Sequence, residues 1–307
     1  MLMQRFTTTS YDGKTTLAAY KMVPENPRGM VQISHGMAEY FLRYRPFAEF
    51  LAEAGILVFG HDHLGHGYSV KTTKELGFTV KDGGVEALVE DVHNLTLKMK
   101  QEYPELPVVL FGHSMGSFIA RAVVEKYSST YAGAVFCGTC GSGMPTAFGK
   151  AVTNHLMTFL GEHFRSKIMK KVVFGGYNKN CGEGCDANAW LSRDEETVKA
   201  YNEDMLCGFN FTLRGYNDLF TLIEQISRED WAAQLSKDLP VLVTAGEADP
   251  VGNYGQGPKE VAEKLLAADM RDVTLKLYPE MRHEIVNELD RETVWTDLKE
   301  WMEQKLG

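Results

Sequence analysis

Several things are scarce in this 307-residue chain, and each scarcity closes off a class of protein. Lysine and arginine number 32 against 41 aspartates and glutamates, leaving a net charge of −9. Nucleic acid, which requires a basic footprint, is therefore not an expected partner, and attraction to anionic membranes is weak. No apolar run reaches the ~18 residues of a membrane span. The opening MLMQRFTTTSYDG lacks the basic start and apolar core of a secretory signal, so a cytoplasmic protein is expected. Five cysteines, an odd number without such a signal, argue against a disulfide framework. Cys137 with Cys140, and Cys181 with Cys185, are the right residue type for zinc. The first pair falls at a strand end and the second in a glycine-rich loop, so no structural metal is expected.

What is present is a core-forming chain, 44% hydrophobic, without internal repeats. Arg5 to Thr9 and Thr15 to Tyr20 flank Asp12-Gly13, a hairpin signal. Compact apolar strands follow at Met30 to Ser34, Ile56 to Gly60, Val108 to Phe111 and Tyr131 to Phe136. Helix-spaced faces separate them, at Phe47, Phe50, Leu51 and Ala54 and then at Val85, Leu88, Val92, Leu95 and Met99. Alternation of this kind predicts a mostly parallel sheet flanked by helices. It stops after Gly141 and resumes at Pro240, with strands at Val241 to Ala245 and Val273 to Tyr278 and helices marked by Val261, Leu265 and Leu266 and by Val294, Leu298, Trp301 and Met302. The expected organisation is a core over residues 1–140 and 237–307, interrupted by a mainly helical lid over 141–236. In the lid, Val152, Leu156, Phe159 and Leu160 form one stripe, and Val198, Tyr201 and Met205 suggest further turns. The stripe leaves open packing on the core, transient contact with a lipid surface, or a dimer contact.

Gly112-His113-Ser114-Met115-Gly116 joins a buried-type strand directly to an amphipathic helix. Such a turn strains the serine, and the flanking glycines are expected to remove collisions with it. A serine hydroxyl needs a base, itself held by a carboxylate, and in this strand-turn-helix setting the chain order is serine, acid, histidine. Of nine histidines only His283 lies beyond Asp249, and both follow predicted strands by a few residues. Glu247 and Asp272 are the rivals to Asp249. Met115 N–H, at the helix N-terminus, and Met37 N–H, in a loop after an earlier strand, are the expected donors to a developing oxyanion. The run His61-Asp62-His63-Leu64-Gly65-His66 is similar to the zinc loop of metallo-β-lactamase-type hydrolases. That pattern wants an aspartate where Gly65 stands, so no metal is expected there.

These residues carry a further likeness. HGMAEY at 35–40, Arg43-Tyr44, HDHLGHGYS at 61–69, GHSMGS at 112–117, EADPV at 247–251 and RHEIVNE at 282–288 together resemble the monoglyceride lipase and lysophospholipase-like group of α/β-hydrolases, in a bacterial-type form. The resemblance implies an α/β-hydrolase fold, a triad of Ser114, Asp249 and His283, an oxyanion hole from the Met37 and Met115 backbones, and no cofactor. It gives Glu39 a substrate-side role, with Gly36 and His113 as further substrate contacts. The expected activity is cleavage of monoacylglycerol, lysophospholipid or smaller acyl esters through an acyl-enzyme on Ser114. Acyl transfer by the same intermediate, and a non-catalytic small-molecule-binding module, are the alternatives.

Overall fold

Asp12 makes the first turn by accepting hydrogen bonds from the Lys14 and Thr15 amides, each 2.7 Å from Oδ1, while Gly13 takes φ +69°. Strands β1 (Gln4–Thr9) and β2 (Thr16–Met22) thus pair antiparallel, and β2 continues antiparallel onto β4 (Ile56–His61). In the computed structural model, which describes residues 2–143 and 145–307, the eight strands run in the order β1-β2-β4-β3-β5-β6-β7-β8. From β4 onward all pairs are parallel, through β3 (Gly29–Ser34), β5 (Val108–His113), β6 (Gly133–Cys137), β7 (Val241–Gly246) and β8 (Val273–Tyr278).

Every residue of β3 to β7 is buried, as parallel strands covered on both faces must be. The period of two sorts their side chains. Val109 and Phe111 face a cluster with Phe47 and Leu51 of α1 (Arg45–Glu53) and Val294 and Leu298 of α9 (Arg291–Leu306). Val108 and Leu110 face the other, with Leu88 of α2 (Gly84–Glu102), Ile119 of α3 (Met115–Tyr127) and Leu265 of α8 (Gln256–Ala267). One edge of the sheet therefore collects the loops after β3, β5, β6, β7 and β8, where parallel-sheet proteins place their chemistry.

Between β6 and β7 the described residues hold no strand. They hold α4 (Thr146–Leu160), α5 (Lys167–Phe174), α6 (Glu195–Glu203) and α7 (Leu213–Ser227), with Ser166, Asp194 and Thr212 side chains capping the last three. Helix α4 meets α7 where Gly149 admits the Phe220 ring; a Cβ there would come within 2.6 Å of it. Buried Arg121 of α3 donates to the carbonyls of Cys140 and Ile226 and lies under Trp231, tying both ends of this segment to the core.

Three sequence expectations change here. His61 belongs to β4, its amide register carried by Ala19, rather than to the loop. The stripe on α4 is split: Thr153 is buried and Val152 and Leu156 are partly so, whereas Phe159 is 75% exposed and Leu160 is exposed, because the contact with α7 runs through Gly149 and Thr153. Met205 lies beyond the end of α6 and is 81% exposed, while Val198 and Tyr201 are buried.

Candidate active site

Strand β5 turns into α3 at Ser114, whose backbone sits at φ 54°, ψ −124°, a conformation L-residues rarely hold. Its amide donates to the Cys137 carbonyl at 2.9 Å. The flanking glycines are required, though against different neighbours from those expected. A Cβ on Gly112 would lie 2.3 Å from the Gly116 carbonyl oxygen, and one on Gly116 would lie 2.0 Å from that of Ser34. The collisions are helix against strand, between α3 and the ends of β5 and β3, because the tight turn brings the helix backbone onto the sheet.

The loop after β7 buries Asp249 completely, and the loop after β8 brings His283 to it, with Nδ1 3.0 Å from Asp249 Oδ2. Asp249 Oδ1 accepts from the Val251 amide at 2.9 Å, which fixes the carboxylate. Glu247 is exposed, and Asp272 pairs with Lys305 beside the start of β7; neither rival meets a histidine. The His283 ring packs on Gly138, just past β6 at φ +60°, where a Cβ would lie 3.1 Å from its Cε1. From above, the Trp190 carbonyl accepts the His283 amide at 3.4 Å and the Trp190 ring lies 5.1 Å from the imidazole. Among the described residues no hydrogen bond joins Ser114 Oγ to His283. Apo geometry of this kind commonly tightens only with substrate.

The loop after β3 is braced by histidines. His35 Nδ1–H donates to the Gly36 carbonyl at 2.8 Å, its Nε2 accepts the His63 amide at 2.9 Å, and His66 Nε2 accepts the Ala38 amide at 3.3 Å. Burial holds these rings neutral: it pulls the pKa of His35 down to about 3 and those of His61 and His66 to about 4, and pushes His63 well below the ordinary value. They are structural imidazoles, and among the described residues no group of three or more metal-ligating side chains has an arrangement fit to hold an ion. Glu39 is also committed. Its Oε1 accepts from the Gly36 amide at 2.5 Å and from Tyr44 Oη–H at 2.7 Å, and its Oε2 from Arg43 at 2.5 Å. Burial opposes its ionisation, but His113 and Arg43 outweigh burial and hold the carboxyl well below its usual range. Arg43 continues as a fork onto Glu284, at 2.6 and 2.7 Å.

Ser114, His283, Met37, Met115, Glu39 and His113 all line one cavity of about 160 Å³, together with Gly36. Among the described residues neither the Met37 nor the Met115 amide has a protein acceptor. Two free donors, a strained serine and a histidine–carboxylate pair at one cavity are the parts acyl transfer chemistry needs. Gly138, Trp190 and Glu284 were not singled out from the sequence. Gly138 carried a signal, a glycine directly after a strand next to the elbow strand, and Glu284 stands within the RHEIVNE run without a role of its own being read there; Trp190 carried none.

Residues 25–290 match the family described as Serine aminopeptidase, S33. The chain is 30% identical over 280 residues to the monoacylglycerol lipase of Mycolicibacterium smegmatis, covering 90% of this chain and 89% of that one. It is 28% identical over 297 residues to the human monoglyceride lipase, covering 96% and 88%. Among solved structures, a thermostable carboxyl esterase from Bacillus coagulans in complex with glycerol superposes over 100% of both chains with a TM-score of 0.93 and 29% identity. The chain thus belongs to the S33 family, as a serine-type carboxylic ester hydrolase of the α/β-hydrolase fold.

Proposed function

We propose that this hydrolase cleaves monoacylglycerols and related single-chain acyl esters through an acyl-enzyme on Ser114. The observation that carries the proposal is the buried 3.0 Å pair of Asp249 and His283, placed at the same cavity as the strained Ser114 and the two unpaired amides. Ser114 Oγ attacks the acyl carbonyl while His283 Nε2 takes its proton, and Asp249 holds the Nδ1–H tautomer and favours the imidazolium that forms. The Met37 and Met115 amides receive the oxyanion. His283 returns the proton to the leaving alcohol, then activates a water that releases the acid.

The substrate class is supported by the relatives named for monoacylglycerol and by a lining that includes Phe118, Val173, Phe174, Leu219 and Ile223, an apolar wall for an acyl chain. In this reading residues 141–236 act as a lid. Phe159, Ile168 and Met205 in it are strongly exposed, and Lys167, Lys170 and Lys171 flank Ile168 in α5, which supports transient contact with a lipid surface. Among the described residues no helix is long and apolar enough to cross a membrane. Five free thiols support a reducing, cytoplasmic compartment. A chain-length series of p-nitrophenyl esters and monoacylglycerols, run with and without a competing alcohol acceptor, tests the reading. Hydrolysis above a Ser114→Ala control is expected; no turnover, or transfer outrunning hydrolysis at low acceptor, contradicts it.

A further inference from the structure

A proton count behind the cavity leads beyond the triad. His113, the residue before Ser114, is buried, and its ring sits between two oxygens. Its Nε2 lies 3.1 Å from the His283 carbonyl, which can only accept, so Nε2 carries hydrogen. Its Nδ1 lies 2.8 Å from Tyr44 Oη, and Tyr44 Oη lies 2.7 Å from Glu39 Oε1. Tyrosine has one proton for these two short contacts. If it points to Nδ1, two oxygens face each other at 2.7 Å with no hydrogen between them. If it points to the carboxylate, Nδ1 needs a hydrogen of its own. The alternative of a protonated Glu39 is opposed by the Gly36 amide and the Arg43 guanidinium, which already donate to its two oxygens.

Charge leads to the same answer. Glu39 and Glu284 are both buried and share one guanidinium, Arg43; among the described residues no other arginine or lysine pairs with either. The set is one positive charge short of neutral, and a second hydrogen on His113 supplies it. We propose that His113 is a resident imidazolium, a positioning residue whose two N–H groups tie the loop carrying His283 to the Tyr44–Glu39 pair that holds Gly36 beside the oxyanion donors. The titratable and charged groups facing it are Glu39 from the loop after β3, Tyr44 just before α1, and His283 and Glu284 after β8, with Arg43 between the two glutamates and Asp249 behind His283. Burial works against a charged His113, but Glu39 outweighs it and raises the ring's pKa above the ordinary value. Gly138 lies against both rings: a Cβ there would press on His283 at 3.1 Å and come into contact with His113 at 3.4 Å.

The coupling to catalysis rests on the proposed role of His283; the protonation state does not. Neutron diffraction from crystals of the perdeuterated wild-type protein at pD 7.5 reads that state directly. Deuterium on both His113 nitrogens and between Tyr44 and Glu39 is expected, and one bare nitrogen overturns the proposal. For the coupling, His113→Leu is expected to lower kcat by about 10²-fold with KM within about threefold, because a base displaced by an ångström loses that much. An unchanged kcat in a folded His113→Leu protein overturns the positioning role. Fluorophosphonate labelling of Ser114 in the same preparations reports the triad reading separately, so its failure is distinguishable.

Discussion

On the sheet side of the cavity, nearly every polar atom near the reacting groups is spoken for: Asp249 by Val251 and His283, Glu39 by three donors, His35 and His66 by backbone. On the side of the inserted helices the contacts are mostly apolar: Val173, Phe174, Trp190, Leu191, Leu219 and Ile223 face the site, while Phe159, Ile168 and Met205 at the outer surface stay in solvent. A saturated floor costs energy to disturb and so holds geometry. Outer roof positions make no such contacts, so they can change while leaving that geometry intact.

Substitutions at the floor should therefore act on kcat, and those on the outer roof on access alone. The largest effect is expected for His283→Ala and Asp249→Asn, each lowering kcat by about 10³- to 10⁴-fold in ester assays with little change in unfolding midpoint. Gly138→Ala comes next. Its Cβ meets the His283 ring, so kcat should fall by about 10²-fold, while the positive φ costs about 1–2 kcal/mol in denaturant titrations.

A buried histidine beside the brace, at the end of β4, is the exception to that saturation and gives a pH test of the floor. Burial pulls His61 down to about 4 when folded, against near 6.5 when unfolded, and among the described residues neither of its ring nitrogens has a partner. Because the folded value is the lower, its stability contribution is present above the unfolded pKa and lost as pH falls from about 6.5 towards 4. Relative to His61→Phe, the wild type should lose about 2 kcal/mol between pH 7 and 5 in paired urea titrations. A constant difference would refute a neutral buried His61. The smallest effect is expected on the roof. Joint replacement of Phe159, Ile168 and Met205 by serine should leave kcat/KM on a short soluble ester within about twofold and lower it about three- to tenfold on monoacylglycerol dispersed in vesicles.

The same division governs what could be read from residues alone. Ser114, Asp249 and His283 were legible because local sterics mark the elbow and strand ends mark the partners, and the parallel sheet then carries all three to one edge. The brace was legible only as a cluster of histidines, since which ring meets which amide is decided by loops meeting across β3 and β4. Arg43 and Glu284 are 241 residues apart, and no local pattern announces such a pair. On α4, periodicity gave the helix but not which part of its stripe is covered, because contact with α7 is set by the small Gly149, which a hydrophobic stripe does not register.

The account stands on Ser114 being the activated nucleophile, and mass spectrometry of the fluorophosphonate-treated protein measures that most directly. A single adduct on the peptide containing Ser114, abolished in Ser114→Ala and strongly slowed in His283→Ala, is the predicted result. Labelling of Ser114→Ala at the wild-type rate, or an adduct on another residue, would contradict it.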